Sequence, residues 1–215
     1  MRIVGLGDST TAGTPGFQSP LEAPPDGSGN PESQYSHWIM KTHPDWIVLN
    51  RGINGQRTDE ILARFQSDVT RANPDYVIIL AGVNDIYQNV PLQPIQDNLL
   101  TMYENAISAG IKPVAASVLP FVSSDSQAKA IVDLNAWIEG TAHRLKILFC
   151  DTNRTVADPE RPNRLRSSPD GNHPDVSGYR SMGYAIGRTI ASHIQSKSNE
   201  TNPTQLGWPK PSSTH

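Results

Sequence analysis

Ser9 stands in Gly5-Leu6-Gly7-Asp8-Ser9-Thr10-Thr11-Ala12-Gly13, directly after a short apolar run. A serine at a strand end, beside a turn rich in backbone N–H groups, suits nucleophilic attack on a carbonyl. Those donors can hold the oxyanion that the attack creates. By itself the segment is also an ordinary turn of Gly, Asp, Ser and Thr. Three other segments supply what a lone serine lacks. Asn50-Arg51-Gly52-Ile53-Asn54-Gly55 carries two glycines, which let a backbone come close to a ligand. Ala81-Gly82-Val83-Asn84-Asp85 carries an amide, Asn84, that can point an N–H at developing negative charge. The same Asn-Asp pair also caps helix entrances. Asp170-Gly171-Asn172-His173-Pro174 sets a carboxylate three residues before an imidazole. Such an Asp can accept the Nδ1–H bond of the His, fix its tautomer and stabilise the imidazolium. A structural Asp-His turn and a partial metal site compete with that reading. A metal wants three or four ligands, and the sequence holds no second His/Asp cluster at ligand spacing. Together the four segments provide a nucleophile, a base, its orienter and oxyanion donors, which suffices for acyl transfer without metal or cofactor. Asp8 and Asp85 are assigned to turns and helix caps rather than to chemistry.

The surrounding pattern has to place these residues at one edge. Residues 3–6, 46–49, 76–80, 113–118 and 147–149 are short, almost continuous apolar runs. Such runs read as parallel strands covered on both faces. Helical patterns lie between them. One runs through Ile61, Leu62, Phe65 and Val69 with Thr58 as its cap, another over 95–109 to a stop at Gly110. Further helices are predicted over 128–145 and 176–194. Strict alternation predicts right-handed crossovers and a doubly wound α/β fold, a three-layer α/β/α sandwich around about five parallel strands. In such sheets ligands collect at the C-terminal strand ends. Three of the four segments directly follow strands.

Residues 15–34 form a long loop rich in Pro, Gly and Ser, expected to wall the site. Tyr35 and Trp38 are read as core packing at a helix start in preference to groove lining. The expected domain spans 1–195. Residues 196–215 have the composition of a disordered tail, with Leu206 and Trp208 able to pack on the body.

Composition narrows the classes. The chain of 215 residues has a net charge of −3 and no dense basic run, which argues against a nucleic-acid partner. Arg161, Arg164 and Arg166 read as a solvated loop. The single cysteine, Cys150, allows no internal disulfide and ends an apolar run, so a buried structural thiol is expected. His37, His43, His143, His193 and His215 stand alone, as surface or packing residues. Met1-Arg2 leads into an apolar run too short for a signal peptide, and nothing reaches the ~20 residues of a membrane span. The expected location is the cytoplasm, although a leader removed beforehand would leave no trace.

The four segments resemble the blocks of the SGNH hydrolases, the GDSL esterase/lipase family, over residues 2–195. Gly7-Asp8-Ser9 with Gly13 is similar to the nucleophile block and Gly82-Val83-Asn84-Asp85 to the third, while Asp170 and His173 match the D-x-x-H block. Gly55 matches the glycine of the second block, with Gly52 in the same loop. The resemblance implies a flavodoxin-like sheet and an oxyanion hole from Ser9, Gly55 and Asn84. It implies action on carboxylic esters, thioesters, lysophospholipids or acetylated sugars. Thr10 departs from the aliphatic residue common after the family's serine. The expected function is therefore hydrolysis of a small-molecule ester or thioester through an acyl-enzyme on Ser9. A carbohydrate O-acetylesterase is the alternative within enzymes, and a non-catalytic ester- or glycan-binding module the alternative outside them.

Overall fold

The computed structural model describes residues 1–121 and 124–201. Leu206 and Trp208 lie outside the described residues, as does His215. In chain order the first elements are β1 (Arg2–Gly7), α1 (Ser9–Ala12), the two-residue strands β2 (Phe17–Gln18) and β3 (Ser28–Gly29), and α2 (Tyr35–Thr42). They are followed by β4 (Ile47–Gly52), α3 (Thr58–Ala63), α4 (Phe65–Asp68), β5 (Tyr76–Leu80) and α5 (Val83–Tyr87). After these come α6 (Leu92–Ser108), β6 (Lys112–Ala116), α7 (Asp125–Leu145), β7 (Leu148–Cys150), α8 (Thr152–Val156) and α9 (Val176–Thr201). α9 runs on past the domain boundary expected at residue 195.

Strands β4-β1-β5-β6-β7 form one parallel sheet in that order. This is the doubly wound arrangement that the alternation of runs predicts. Apolar side chains point alternately to the two faces. Val4, Leu6, Val77 and Ile79 meet Ile61, Leu99, Met102 and Leu134 of the helices on one face. Ile3, Ile78, Leu80 and Val114 meet Ile39, Tyr179, Met182 and Ile186 on the other. Every one of these side chains is at most 3% exposed, so the sheet is covered on both faces. Burying a side chain of this size contributes about 1.5–3 kcal/mol each, which accounts for two separate cores. Tyr35 and Trp38 are buried in the second of them.

Register matters most at the strand ends. Gly7 of β1 is level with Gly52 of β4 and with Leu80 of β5. The segments that follow these three residues therefore leave the sheet side by side.

Three local expectations are corrected. The helix expected through Ile61 and Val69 is split at Arg64, whose backbone (φ −99°, ψ 4°) leaves the helical range. Thr58 is not the cap of α3 but its first residue. Its N–H donates to Asp85 Oδ2 at 2.9 Å and its hydroxyl to Asp85 Oδ1 at 2.7 Å. The orphan donor of that helix end is thus met by a carboxylate from α5. Residues 15–34 hold the small β2–β3 hairpin and do not wall the site. They brace it from behind: Ser19 Oγ donates to Gly52 O (2.6 Å), and Asn54 N–H donates to Glu22 Oε1 (2.8 Å).

Candidate active site

Ser9 opens α1 immediately beyond β1. Asp8 precedes it as the helix cap, its carboxylate accepting the Thr10 N–H at 2.9 Å. Burial pushes the Asp8 carboxyl up to about 6, against the opposing pull of the Thr10 N–H and of His173. α1 itself is pinned from several sides. A Cβ on Gly52 would lie 2.1 Å from Ala12 N, so only glycine lets β4 approach the helix this closely. Asn50 Nδ2 donates to Ala12 O (3.0 Å) and to Gln34 Oε1 (2.9 Å), and Tyr179 Oη donates to Thr14 O (2.7 Å).

The loop before α9 delivers the imidazole. His173 Nε2 lies 2.8 Å from Ser9 Oγ, and His173 Nδ1 lies 2.7 Å from Asp170 Oδ2. The other Asp170 oxygen accepts the N–H groups of Asn172 (2.9 Å) and His173 (2.8 Å). Gly171, at φ +84°, makes the tight turn between them. Burial alone would raise the Asp170 carboxyl. The bonds from the His173 ring and the two backbone N–H groups overcome it and hold Asp170 at about 2. Ser168, not singled out in the sequence, donates to His173 O at 2.6 Å and steadies the loop.

Two donors face the same space from neighbouring strand ends. The Gly52 N–H is taken by Asn50 Oδ1 at 3.0 Å. The Gly55 N–H meets no acceptor among the described residues, and Gly55 lines the cavity in front of Ser9. Asn84 lines it too, and its Nδ2 donates to Gln56 O at 2.9 Å. An amide nitrogen carries two hydrogens, so one Asn84 N–H remains for a ligand.

The cavity measures about 590 Å³. Residues 118–121, after β6, and Tyr87 of α5 form the wall that the sequence reading gave to residues 15–34. Tyr87 is 58% exposed and meets Phe121 edge to face at 5.5 Å. Thr14, Asn54 and Asn172 add polar groups to the lining. Thr10 also faces the cavity, beside the serine.

Several other candidates lie away from it. Cys150 is buried and its thiol is pushed up to about 11 by that burial. His43 stacks on Trp46 at 3.9 Å and His193 meets Tyr76 edge to face. Arg161 pairs with Asp158 at the surface. No group of three or more metal-ligating side chains occurs among the described residues.

A flavodoxin-like sheet thus carries a serine, an Asp-His pair and two N–H donors at its strand ends. The chain belongs to the GDSL-like lipase/acylhydrolase family, whose model matches residues 6–181. It is 30% identical to an uncharacterized lipoprotein, YqeF, of Bacillus subtilis over 133 residues, 58% of this chain and 51% of that one. The chain thus spans about half the length of that relative. It is 25% identical to an acetylxylan esterase of Geobacillus stearothermophilus over 158 residues, 66% of this chain and 71% of the relative. Among solved structures, a protein assigned to the G-D-S-L lipolytic family from Desulfitobacterium hafniense superposes with a TM-score of 0.74. That match has 28% identity and covers 87% of this chain and 98% of the other. No described helix is long and apolar enough to cross a membrane.

Proposed function

We propose that the protein is a serine esterase that passes the acyl group of a small carboxylic ester or thioester to Ser9 and then to water. The observation that carries this reading is the continuous line from Asp170 through His173 to Ser9, with contacts of 2.7 and 2.8 Å, opening on the cavity with Gly55 and Asn84. His173 Nε2 takes the hydroxyl proton as Ser9 Oγ bonds to the acyl carbon. The carbonyl oxygen becomes an oxyanion held by the N–H groups of Ser9 and Gly55 and by Asn84 Nδ2. Collapse breaks the bond to the alcohol or thiol, which leaves with the proton from His173. Water attacks the acyl-enzyme by the same route, and Ser9 regains its proton. Asp170, ionised well below neutral pH, holds the imidazole and balances its charge. No step calls for a cofactor.

A carbohydrate O-acetylesterase is the second reading. It is favoured by a cavity lined both by the exposed ring of Tyr87 and by Asn54 and Asn172, which suits the flat and polar sides of a sugar. The likeness to an acetylxylan esterase supports it. A series of p-nitrophenyl esters of increasing acyl length, run beside acyl-CoA and acetylated xylan, separates the readings. Preference for acetyl together with release of acetate from xylan supports the sugar ester. Rising kcat/KM with acyl length, or turnover of acyl-CoA alone, sinks it. No turnover of any of these would favour a binding module instead.

A further inference from the structure

The split between α3 and α4 falls on a residue whose side chain turns inward. Arg64 is 12% exposed, although the chain around it lies on the outside of the sheet. Its guanidinium meets four partners. Nη2 donates to Gly7 O at 2.8 Å, Nη1 to Arg51 O at 2.8 Å and to Asp68 Oδ2 at 2.7 Å, and Nε to Gln56 Oε1 at 2.7 Å. Two of the partners are the carbonyls at the ends of β1 and β4. Gly7 lies two residues before Ser9, and Gln56 follows Gly55. Gln56 also accepts Asn84 Nδ2 through its own carbonyl. One planar cation therefore touches the segments that carry Ser9 and Gly55 directly, and reaches the Asn84 amide through Gln56.

We propose that Arg64 is a positioning residue that sets the spacing of the Ser9, Gly55 and Asn84 donors. The inference rests on the serine-esterase reading above. Arginine suits the task because its fork presents donors in a fixed plane, so three acceptors are held at fixed mutual angles. Lysine is a single flexible point charge and cannot span them. Asp68 neutralises the buried charge from one helical turn onward without touching the active-site loops. Arg64 contacts none of the reacting atoms, so its effect runs through geometry. A displacement of about 1 Å at a reacting centre can cost about 100-fold in rate.

A double-mutant cycle between Arg64→Lys and Asn84→Ala tests this with p-nitrophenyl acetate. The lysine keeps the pairing charge for Asp68, and circular dichroism checks that the variant is folded. We expect Arg64→Lys to lower kcat by about 10- to 100-fold with KM within about twofold. Asn84→Ala should cost about 10²–10³ in kcat in the parent protein. In the Arg64→Lys protein the same change should cost less than about tenfold, because the amide is already misplaced. A residue needed only for stability would leave the two losses multiplicative, and that result overturns the inference. So does a parental kcat in Arg64→Lys. Gln56→Ala removes one anchor from a loop without touching the charge pair, and should lower kcat several-fold at constant KM. If Arg64→Lys does not fold, a parental kcat in Gln56→Ala overturns the inference by itself. An Asn84→Ala protein with parental kcat would sink the oxyanion hole itself, and with it the premise.

Discussion

The two halves of the site are held by different means. The Asp170–His173 half is fastened to itself. Ser168, Asp170, Asn172 and His173 bond one another within five residues of chain. The oxyanion half is fastened across the fold. Asn84 meets Gln56, Thr58 meets Asp85 and Arg64 meets Gly7, partners separated by 27 to 57 residues. A self-contained loop can be altered at little cost to the fold, because few distant contacts depend on it. A cross-braced corner cannot. Changes in the first half should therefore act mainly on rate, and changes in the second on rate and stability together.

The largest expected effect breaks the comparison at the point where the halves meet. Ser9→Ala should abolish turnover of p-nitrophenyl esters, and parental activity would refute the assignment of the nucleophile. Asp170→Asn comes next, at about 10⁴ in kcat, since the amide presents the wrong partner to the imidazole. Its melting temperature should fall by only a few degrees, through the stability that the low Asp170 value ties to the ionised carboxylate, and a larger fall would mean that the loop is not independent. Asp85→Ala should lower stability as well as rate. It strands the buried Thr58 N–H and hydroxyl, costing about 1–3 kcal/mol. For a domain of this size each kcal/mol lowers the melting temperature by about 2–4 °C. An unchanged melting temperature would remove the bracing role.

The smallest effect is a pH dependence. Asp8 has a folded-state value of about 6 against an ordinary 3.8. A carboxyl raised in the folded state binds its proton more tightly there than when unfolded. The stability tied to that proton is complete below about 3.8 and is lost as pH rises through about 6. Asp8→Asn cannot ionise and escapes the loss. The melting temperature of Asp8→Asn minus that of the parent should rise between pH 4 and 6 and level off above. A constant difference would mean that Asp8 is not buried as a strained acid.

The same division explains what the sequence disclosed. The Asp170-x-x-His173 turn is local, so residue spacing already contains its geometry. The parallel, doubly wound sheet was legible because short, continuous apolar runs alternating with helical patterns leave few other arrangements. The placement of Ser9, Gly55 and Asn84 at one edge followed from strands of matching register. Arg64 was hidden because a lone arginine between Leu62 and Phe65 looks like the wet side of a helix. Only the break in the backbone turns it inward. Residues 15–34 were misplaced for a related reason. Their composition declares a loop, but whether a loop lines a cavity or backs one depends on contacts such as Ser19 with Gly52. The wall at residues 118–121 went unseen because its position depends on where β6 ends.

The bond between His173 and Ser9 joins residues 164 positions apart. At ribosomal rates of about 5–20 residues per second, Ser9 is made about 8–33 seconds before His173. During that interval the nascent chain displays a serine with no imidazole to activate it. On the proposed mechanism, hydrolysis is withheld until the loop before α9 has been synthesised and has docked on β1. Ester turnover by a growing chain would report the moment at which the two ends of the domain meet.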